Sequence, residues 1–456
     1  MKVVKIGGGC LKGRKNIARI LDLIEERGKE NVFIVSAFNG ITDLLVSGMQ
    51  DALEDEANIP RIMSRLKNRH VLTARHLMSS SVHMRKFITD LNKSLSQLER
   101  LYYGLNFTRE ITPRLRDVIG SFGERLSVKL LVGVLRERGL QTTYRMPHAI
   151  GLVTDGRFGD STADMKKTGE NLKRNILPLL KEGMCVFIPG FFGVSETGDI
   201  TTFGRGGSDY SAAVVAVALE ADTLEIWKDT EGYLSADPRF VPDARRISVL
   251  SYDEAAELSY FGAKILHPRT VEPIRKTNLN IAIKNTVNPD APGSLITPRS
   301  GKADTVVKSV ACETDIAILK VHGSAVGARP GILGNVANRL SQRGINIKSA
   351  VTSQTCISLL LSLEDLEPGY KALMGLKPKP YRRLERINDV AMVSIVGEGL
   401  GQHRGVAARC FTAVAECGVN VEMISFGPSP VALYFLVKSA ELKKAVAAIH
   451  KTIFSQ

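Results

Sequence analysis

The sequence predicts an α/β domain on a largely parallel sheet, interrupted by a helical segment and followed by two small α+β modules. Three observations predict it. Short β-branched runs alternate with longer helical patterns through the first half, and between about 55 and 137 that alternation gives way to heptad-like apolar spacing. Near the C-terminus, a pattern of three glycines recurs 74 residues further on.

Taken in order, "VVKIG" reads as a strand and 14–29 as the helix after it, then "NVFIVSA" as a strand and 41–54 as a helix. The stretches "LTARHLM", "FITDLNKSLSQLERLYYGL" and "LLVGVLRERG" carry the helical insertion of about 55–137. The alternation resumes with "GMCVFIPG", a helix over 208–220 and "TLEIW". In the C-terminal part, "VHG" at 321–323, Gly331 and "GINI" at 344–347 recur as "IVG" at 395–397, Gly405 and "GVNV" at 418–421. Each copy reads as a strand, a turn, a helix (332–343 and 406–417), a glycine stop and a second strand. The basic stretch "KPKPYRR", 377–383, lies between two apolar blocks and reads as a linker.

A chain of 456 residues is too long for one ordinary core. Its 44% hydrophobic and 24% charged residues are those of a folded globular protein. The net charge of +14 is dispersed among acids and forms no basic run, which argues against nucleic acid and suits small anionic ligands. With no apolar leader region and no run of roughly 20 apolar residues, the expectation is a cytoplasmic protein without a membrane partner. Six scattered cysteines include no Cys-x-x-Cys pair, so neither a zinc site nor a disulfide framework is expected.

The chemistry-bearing stretches sit at strand ends. "VVKIGGG" sets Lys5 before Gly7 and Gly8, an arrangement that lets amides and an ammonium approach a phosphate, or that simply makes a tight turn. "IVSAFNGITDLL" places Ser36 and Thr42 at the mouth of a helix, as caps or as anion ligands. "GSFGERLS" puts Glu124 in a first helical turn, where it favours the dipole or holds a substrate ammonium. In "TTFGRGGSDYSA", Arg205 has the forked donors that grip a carboxylate, flanked by glycines, and Ser208 and Asp209 open the next helix. "IWKDTEGYLSADPR" offers Asp229, Tyr233 and Arg239, and "YFGAKILHP" offers Lys264, cations and polar groups on loops that suit a phosphoryl transfer.

Together these stretches, with "IPGFFG" and the paired C-terminal modules, resemble the aspartate kinases of the amino-acid kinase superfamily, in order and over nearly the whole chain. The resemblance implies an amino-acid kinase catalytic domain over 1–300 and a regulatory region over 312–456 with two ACT modules, about 314–380 and 388–452. It implies ATP- and Mg²⁺-dependent phosphorylation of the side-chain carboxylate of L-aspartate, the entry to lysine, threonine and methionine synthesis. By the same resemblance, Lys5 contacts the transferring phosphoryl group and, with Asp209, forms the catalytic pair. Gly7 and Gly8 meet the phosphates, and Ser36 and Thr42 bind the reacting carboxylate. Arg205 holds the α-carboxylate, while Glu124, Ser208 and Asp209 lie near the ammonium or organise the site. Asp229, Tyr233, Arg239 and Lys264 face the nucleotide. No metal-ligating residue is singled out. An amino-acid effector at the ACT modules and a homo-oligomer, dimer or tetramer, are further implied.

The chain departs from the family at several places. Gly9 and Cys10 stand where Thr and Ser are usual, Lys228 replaces the Thr of Trp-Thr-Asp, and Leu234 stands where Tyr is frequent. Lys348 and Gln354 occupy positions that are often acidic in lysine-sensitive relatives, which disfavours lysine as the effector. These departures leave two alternatives beside the kinase: a weakened homologue serving as an amino-acid-sensing regulatory subunit, or a kinase for another small acid.

Overall fold

The strand β1 (Lys2–Ile6) is buried at every residue after the first. A run buried on both faces belongs inside a parallel sheet that helices cover on both sides. In the computed structural model of the chain, we describe residues 1–28, 30–263, 265–299, 306–324, 326 and 329–454. They fall into two compact units. One comprises Met1–Tyr233, Ser248–Ala256 and Ile265–Gly301, and the other Leu234–Ile247, Glu257–Lys264 and Lys302–Gln456.

In the first unit, α1 (Gly13–Arg27) connects β1 to β2 (Val32–Val35), and α2 (Ile41–Glu54) follows. Four helices come next: α3 (Asn58–Leu77), α4 (Ser81–Thr108), α5 (Pro113–Gly120) and α6 (Phe122–Glu137). The chain continues through β3 (Thr142–Tyr144), α7 (Pro147–Ile150), β4 (Val153–Thr154), α8 (Met165–Lys181), β5 (Cys185–Pro189), β6 (Phe192–Ser195), β7 (Ile200–Thr202), α9 (Gly207–Ala218) and β8 (Thr223–Lys228). It closes with β9 (Val249–Ser251), the first half of α10 (Tyr252–Tyr260), β10 (Asn280–Asn285) and β11 (Ser294–Thr297). Eight strands form one sheet in the order β3-β5-β2-β1-β8-β10-β11-β9. Every pairing in it is parallel except that of β10 with β11. A separate ribbon pairs β4 with β6 and β7, the two strands between β5 and α9.

The helices α2–α6 pack their apolar stripes on one another and on α1 in a single core containing Leu45, Ile62, Leu98, Tyr102 and Leu131. Two polar side chains in this layer bond across helices. Tyr102 donates to the Leu45 carbonyl at 2.9 Å and Asn106 to the Ala52 carbonyl at 2.7 Å.

The second unit holds β12 (Ser309–Glu313), β13 (Ala317–His322), α11 (Ile332–Ser341), β14 (Ser349–Thr352), β15 (Cys356–Leu361), α12 (Leu363–Met374) and β16 (Arg383–Ile387). It ends with β17 (Ala391–Val396), α13 (Val406–Glu416), β18 (Met423–Phe426), β19 (Ala432–Val437) and α14 (Leu442–Phe454). The glycine repeat has a structural cause. Gly331 and Gly405 are the left-handed N-caps of α11 and α13, at φ 86° and 84°. Gly344 and Gly418, also left-handed, end those helices. Two four-stranded sheets result, β14-β15-β13-β16 and β12-β17-β19-β18. Arg383, which the sequence assigns to a linker, opens the edge strand β16 and pairs with His322 of β13.

Candidate active site

The carboxyl ends of β5, β2, β1, β8 and β10 share one edge of the sheet, where open α/β folds place their ligands. Lys5 lies in register between Ile34 of β2 and Ile226 of β8 and is 6% exposed. A buried ammonium needs a counter-charge. Asp209 provides it from the first turn of α9, with Oδ1 at 2.5 Å from Lys5 Nζ. Burial acts to raise the Asp209 pKa, but the Lys5 and Lys228 ammonium groups outweigh it and hold the carboxyl below its usual range.

The glycine turn wraps this pair. An ideal Cβ on Gly7 would stand 3.5 Å from Lys5 Nζ, one on Gly8 3.4 Å from the Ala37 carbonyl, and one on Gly9 3.4 Å from the Asp229 carboxylate. The Gly7 amide donates to the Trp227 carbonyl, whereas the amides of Gly8 and Gly9 have no acceptor among the described residues. Two helices aim their N-termini at the same edge. α2 and α9 begin at the left-handed glycines Gly40 and Gly206, and neither has a side-chain cap. Such ends present amides to an anion.

Glu124 approaches from α6. It is 4% exposed, and Ser208 Oγ donates to its Oε1 at 3.3 Å. Its Oε2 is buried with no hydrogen-bond partner among the described residues. Burial pushes this carboxyl up to about 7, against the opposing pull of the Ala37 and Glu124 amides, Ser208 and Lys5. Ser127 Oγ, one turn on, donates to the Ser36 carbonyl at 2.8 Å and ties α6 to the end of β2. Thr42 Oγ1 lies 3.6 Å from where Gly123 would carry a Cβ. Lys5, Gly7, Gly8, Ser36, Thr42, Glu124, Ser208, Asp209 and Asp229 are thus gathered at one edge.

Other residues singled out in the sequence lie elsewhere. Tyr233 is fully buried, its amide bonded to Ser294 Oγ of β11. Arg239 belongs to the second unit and is exposed, in a bidentate pair with Asp237. Lys264 lies outside the described residues.

Arg205 sits on the exposed loop between β7 and α9, with Gly204 and Gly206 at φ 72° and 70°. Packing explains the glycines. A Cβ on Gly204 would come within 2.9 Å of the Gly159 carbonyl, and one on Gly206 within 2.1 Å of His267 Cγ. His267 escaped the sequence reasoning, although it stands in the stretch that supplied Lys264. Its ring packs against Gly206, and burial lowers its pKa against the opposing attraction of Asp209. Phe191 was missed as well. It is left-handed at φ 78°, its amide bonded to Ser211 Oγ, and the preceding Gly190 touches Ser208. Asp117, 2% exposed, accepts from the Gly159 amide and from the Thr202 amide and hydroxyl, fixing β7 just before the arginine loop.

Gly206→Ala is expected to cost about 2 kcal/mol or more, since the left-handed conformation alone costs roughly 1–2 kcal/mol and His267 must also move. Gly183→Ala, left-handed with nothing within 4 Å, is the comparison and should lose only the conformational part. Chemical denaturation of the two variants checks the difference.

Three of the departures from the family pattern, Gly9, Cys10 and Lys228, collect at the turn. Cys10 is buried, its Sγ donating to the Trp227 carbonyl at 3.3 Å, and Thr286 bonds both Cys10 Sγ and the Lys228 carbonyl. Lys228 ends β8 on the face that carries Lys5.

The model of the amino acid kinase family matches residues 1–285, and that of an ACT domain matches 393–453. The chain is 30% identical to aspartokinase 1, chloroplastic, of Arabidopsis thaliana, over 99% of its own length and 80% of that protein's. It is 29% identical to the bifunctional aspartokinase/homoserine dehydrogenase of Haemophilus influenzae, of which it spans 57%. Among solved structures it is similar to E. coli aspartokinase III in complex with aspartate and ADP (R-state), with a TM-score of 0.82, 28% identity and complete coverage of both chains. The lysine and aspartate complex (T-state) of that enzyme matches with the same score and 99% coverage.

Proposed function

We propose that this chain, which belongs to the amino acid kinase family, acts as an aspartate kinase, moving the γ-phosphoryl group of ATP to the side-chain carboxylate of L-aspartate. The observation that carries this reading is the full-length likeness to an aspartokinase holding aspartate and ADP, together with the buried Lys5–Asp209 pair at the glycine turn. The aspartate side-chain oxygen attacks phosphorus, the bond to the bridging oxygen of ADP breaks, and 4-phospho-L-aspartate and ADP result. Both reactants are anions, so the site's task is to hold them in line and neutralise their charge.

In this reading Lys5 neutralises the transferring group, with its ammonium aimed by Asp209. The Gly8 and Gly9 amides and the N-terminus of α9 receive phosphate oxygens. Ser36 and Thr42 orient the attacking carboxylate, Arg205 takes the α-carboxylate, and Glu124 with Ser208 takes the ammonium. Asp229 lies on the nucleotide side of the turn. The described residues include no cluster of three metal-ligating side chains. Mg²⁺ keeps its waters and binds largely through nucleotide phosphates with one or two carboxylates, and the Asp229 carboxylate beside Gly9 is the protein oxygen donor that would fit it. When bound it supplies charge to the phosphate oxygens.

A domain division with the kinase in 1–300 and two ACT modules in 312–456 belongs to the same proposal, as does a homo-oligomer. The edge strand β18 exposes Ile424 and Phe426, an apolar pair suited to a second copy. An effector other than lysine is favoured, because Lys348 already occupies its own surroundings with a cation, bonded to the Asp315 carbonyl. The reading as a weakened regulatory homologue is not favoured, because Lys5, Asp209, Glu124 and Asp229 are assembled at one edge.

The test is trapping of the acyl phosphate with hydroxylamine. Wild type is expected to form aspartyl hydroxamate with ATP and Mg²⁺. Arg205→Ala should raise the KM for aspartate by about a hundredfold and leave that for ATP nearly unchanged, the loss of one charge-assisted bidentate contact. No hydroxamate from the wild type would overturn the assignment.

A further inference from the structure

Side-chain alternation along β8 puts Leu224, Ile226 and Lys228 on one face of the sheet, and register with β1 puts Lys5 on that face beside Ile226. It is the face that α9 covers, because Lys5 meets Asp209 there. Lys228 therefore stands one side-chain step beyond Lys5, at the carboxyl end of β8, with the glycine turn next to it. The backbone contacts agree: the Trp227 carbonyl holds both the Gly7 amide and Cys10 Sγ, and Asp229 lies against Gly9.

The charges around this lysine are unequal. Lys5 and Asp209 neutralise each other at 2.5 Å. Lys228 forms no ion pair or side-chain hydrogen bond among the described residues, and its charged neighbours are Asp209, Lys5 and Asp229. Asp229 is exposed to solvent, whereas Lys228 is half-buried. Cys10 turns its thiol to the Trp227 carbonyl, and Gly9 has no side chain, so the turn offers a ligand only backbone amides. Among the described residues, Lys228 is the cation beside the turn that no ion pair holds.

We propose that Lys228 is a phosphate-binding residue of this chain, an ammonium that reaches the polyphosphate of the bound nucleotide over Gly8 and Gly9 and does there what side-chain hydroxyls on the turn would otherwise do. Gly9, Cys10 and Lys228 are then one linked arrangement: a lysine at the end of β8 fits a turn from which the larger polar side chains are absent. The inference rests on the aspartate kinase reading for the identity of the nucleotide, and its test reads binding rather than turnover.

Calorimetry on the full chain compares ADP with adenosine for wild type, Lys228→Thr, Lys228→Met and Lys228→Arg. Loss of a charge-assisted contact predicts ADP binding weakened about tenfold or more in the Thr and Met variants, adenosine binding unchanged, and ADP binding largely restored in the Arg variant. The Met variant keeps the stem of the side chain, so agreement with Thr excludes a packing effect. ADP affinity within twofold of wild type in both variants, or parallel weakening of ADP and adenosine, would overturn the proposal. A wild type that binds ADP but forms no aspartyl hydroxamate would instead refute the aspartate reading and leave the phosphate contact standing.

Discussion

Lys5→Ala is expected to slow aspartyl phosphate formation by about a thousandfold, the scale on which one preorganised charge at a transferring phosphoryl group acts. It is also expected to destabilise the fold by about 3–5 kcal/mol, because it leaves Asp209 buried without its partner. Both side chains are more than nine-tenths buried, so solvent screens little of this. The two effects separate in the double variant Lys5→Met with Asp209→Asn. Removing both charges together should recover most of the stability and none of the rate. The pair also sets an acid limb. Because Asp209 is held below its ordinary value, its contribution is present at neutral pH and lost as the pH falls through the lowered value, whereas Lys5→Ala should lose that limb. Denaturant midpoints across pH, read beside the hydroxamate rate, test all of this. A Lys5→Ala protein that keeps wild-type turnover would remove Lys5 from the chemistry.

The second large effect belongs to Glu124. Its carboxyl is pushed from an ordinary 4.5 up to about 7, chiefly by burial. A group that binds its proton more tightly when folded stabilises the fold below the unfolded value and loses that stability as pH rises through the folded one. Between about 4.5 and 7 the protein should therefore lose about 3 kcal/mol on account of Glu124. Glu124→Gln should be the more stable protein at pH 8 and should flatten that slope. Function runs the other way. An ammonium placed against Glu124 requires the ionised form, so the KM for aspartate should fall as pH rises through about 7. Glu124→Gln should abolish that dependence and raise the KM at pH 8 by about a hundredfold, the cost of losing a buried charge-assisted contact. Aspartate titrations in two buffers of different ionisation enthalpy should show proton release near pH 7 in wild type and none in the variant. Equal pH profiles for the two proteins would take Glu124 away from the ammonium.

Much of the architecture was legible because it is local. The expected helix over 41–54 is α2 residue for residue, and those expected over 332–343 and 406–417 end within two residues of α11 and α13. Left-handed glycine at each helix entry has no substitute without strain, so the repeat was visible as spacing. The ribbon β4-β6-β7 was not expected. Its strands are two to four residues long, too short to display a period. Arg383, the first residue of β16, was read as part of a linker because β16 is a polar edge strand with no buried residue.

The site divides in the same way. Residue types and their positions at strand ends determined the candidate, a cationic, glycine-lined strand end, since glycine turns and helix N-termini act through neighbouring residues of the chain. Tertiary structure decided the partners. It set Asp209 against Lys5, lifted Glu124 to about 7 by burying it beside Ser208, and packed His267 into the space that Gly206 leaves open. It also brought Gly9, Cys10 and Lys228 to a single turn. Burial and charge pairing depend on what lies across the sheet, and only the parallel register of β1 with β8 and the placement of α9 over it bring those residues together.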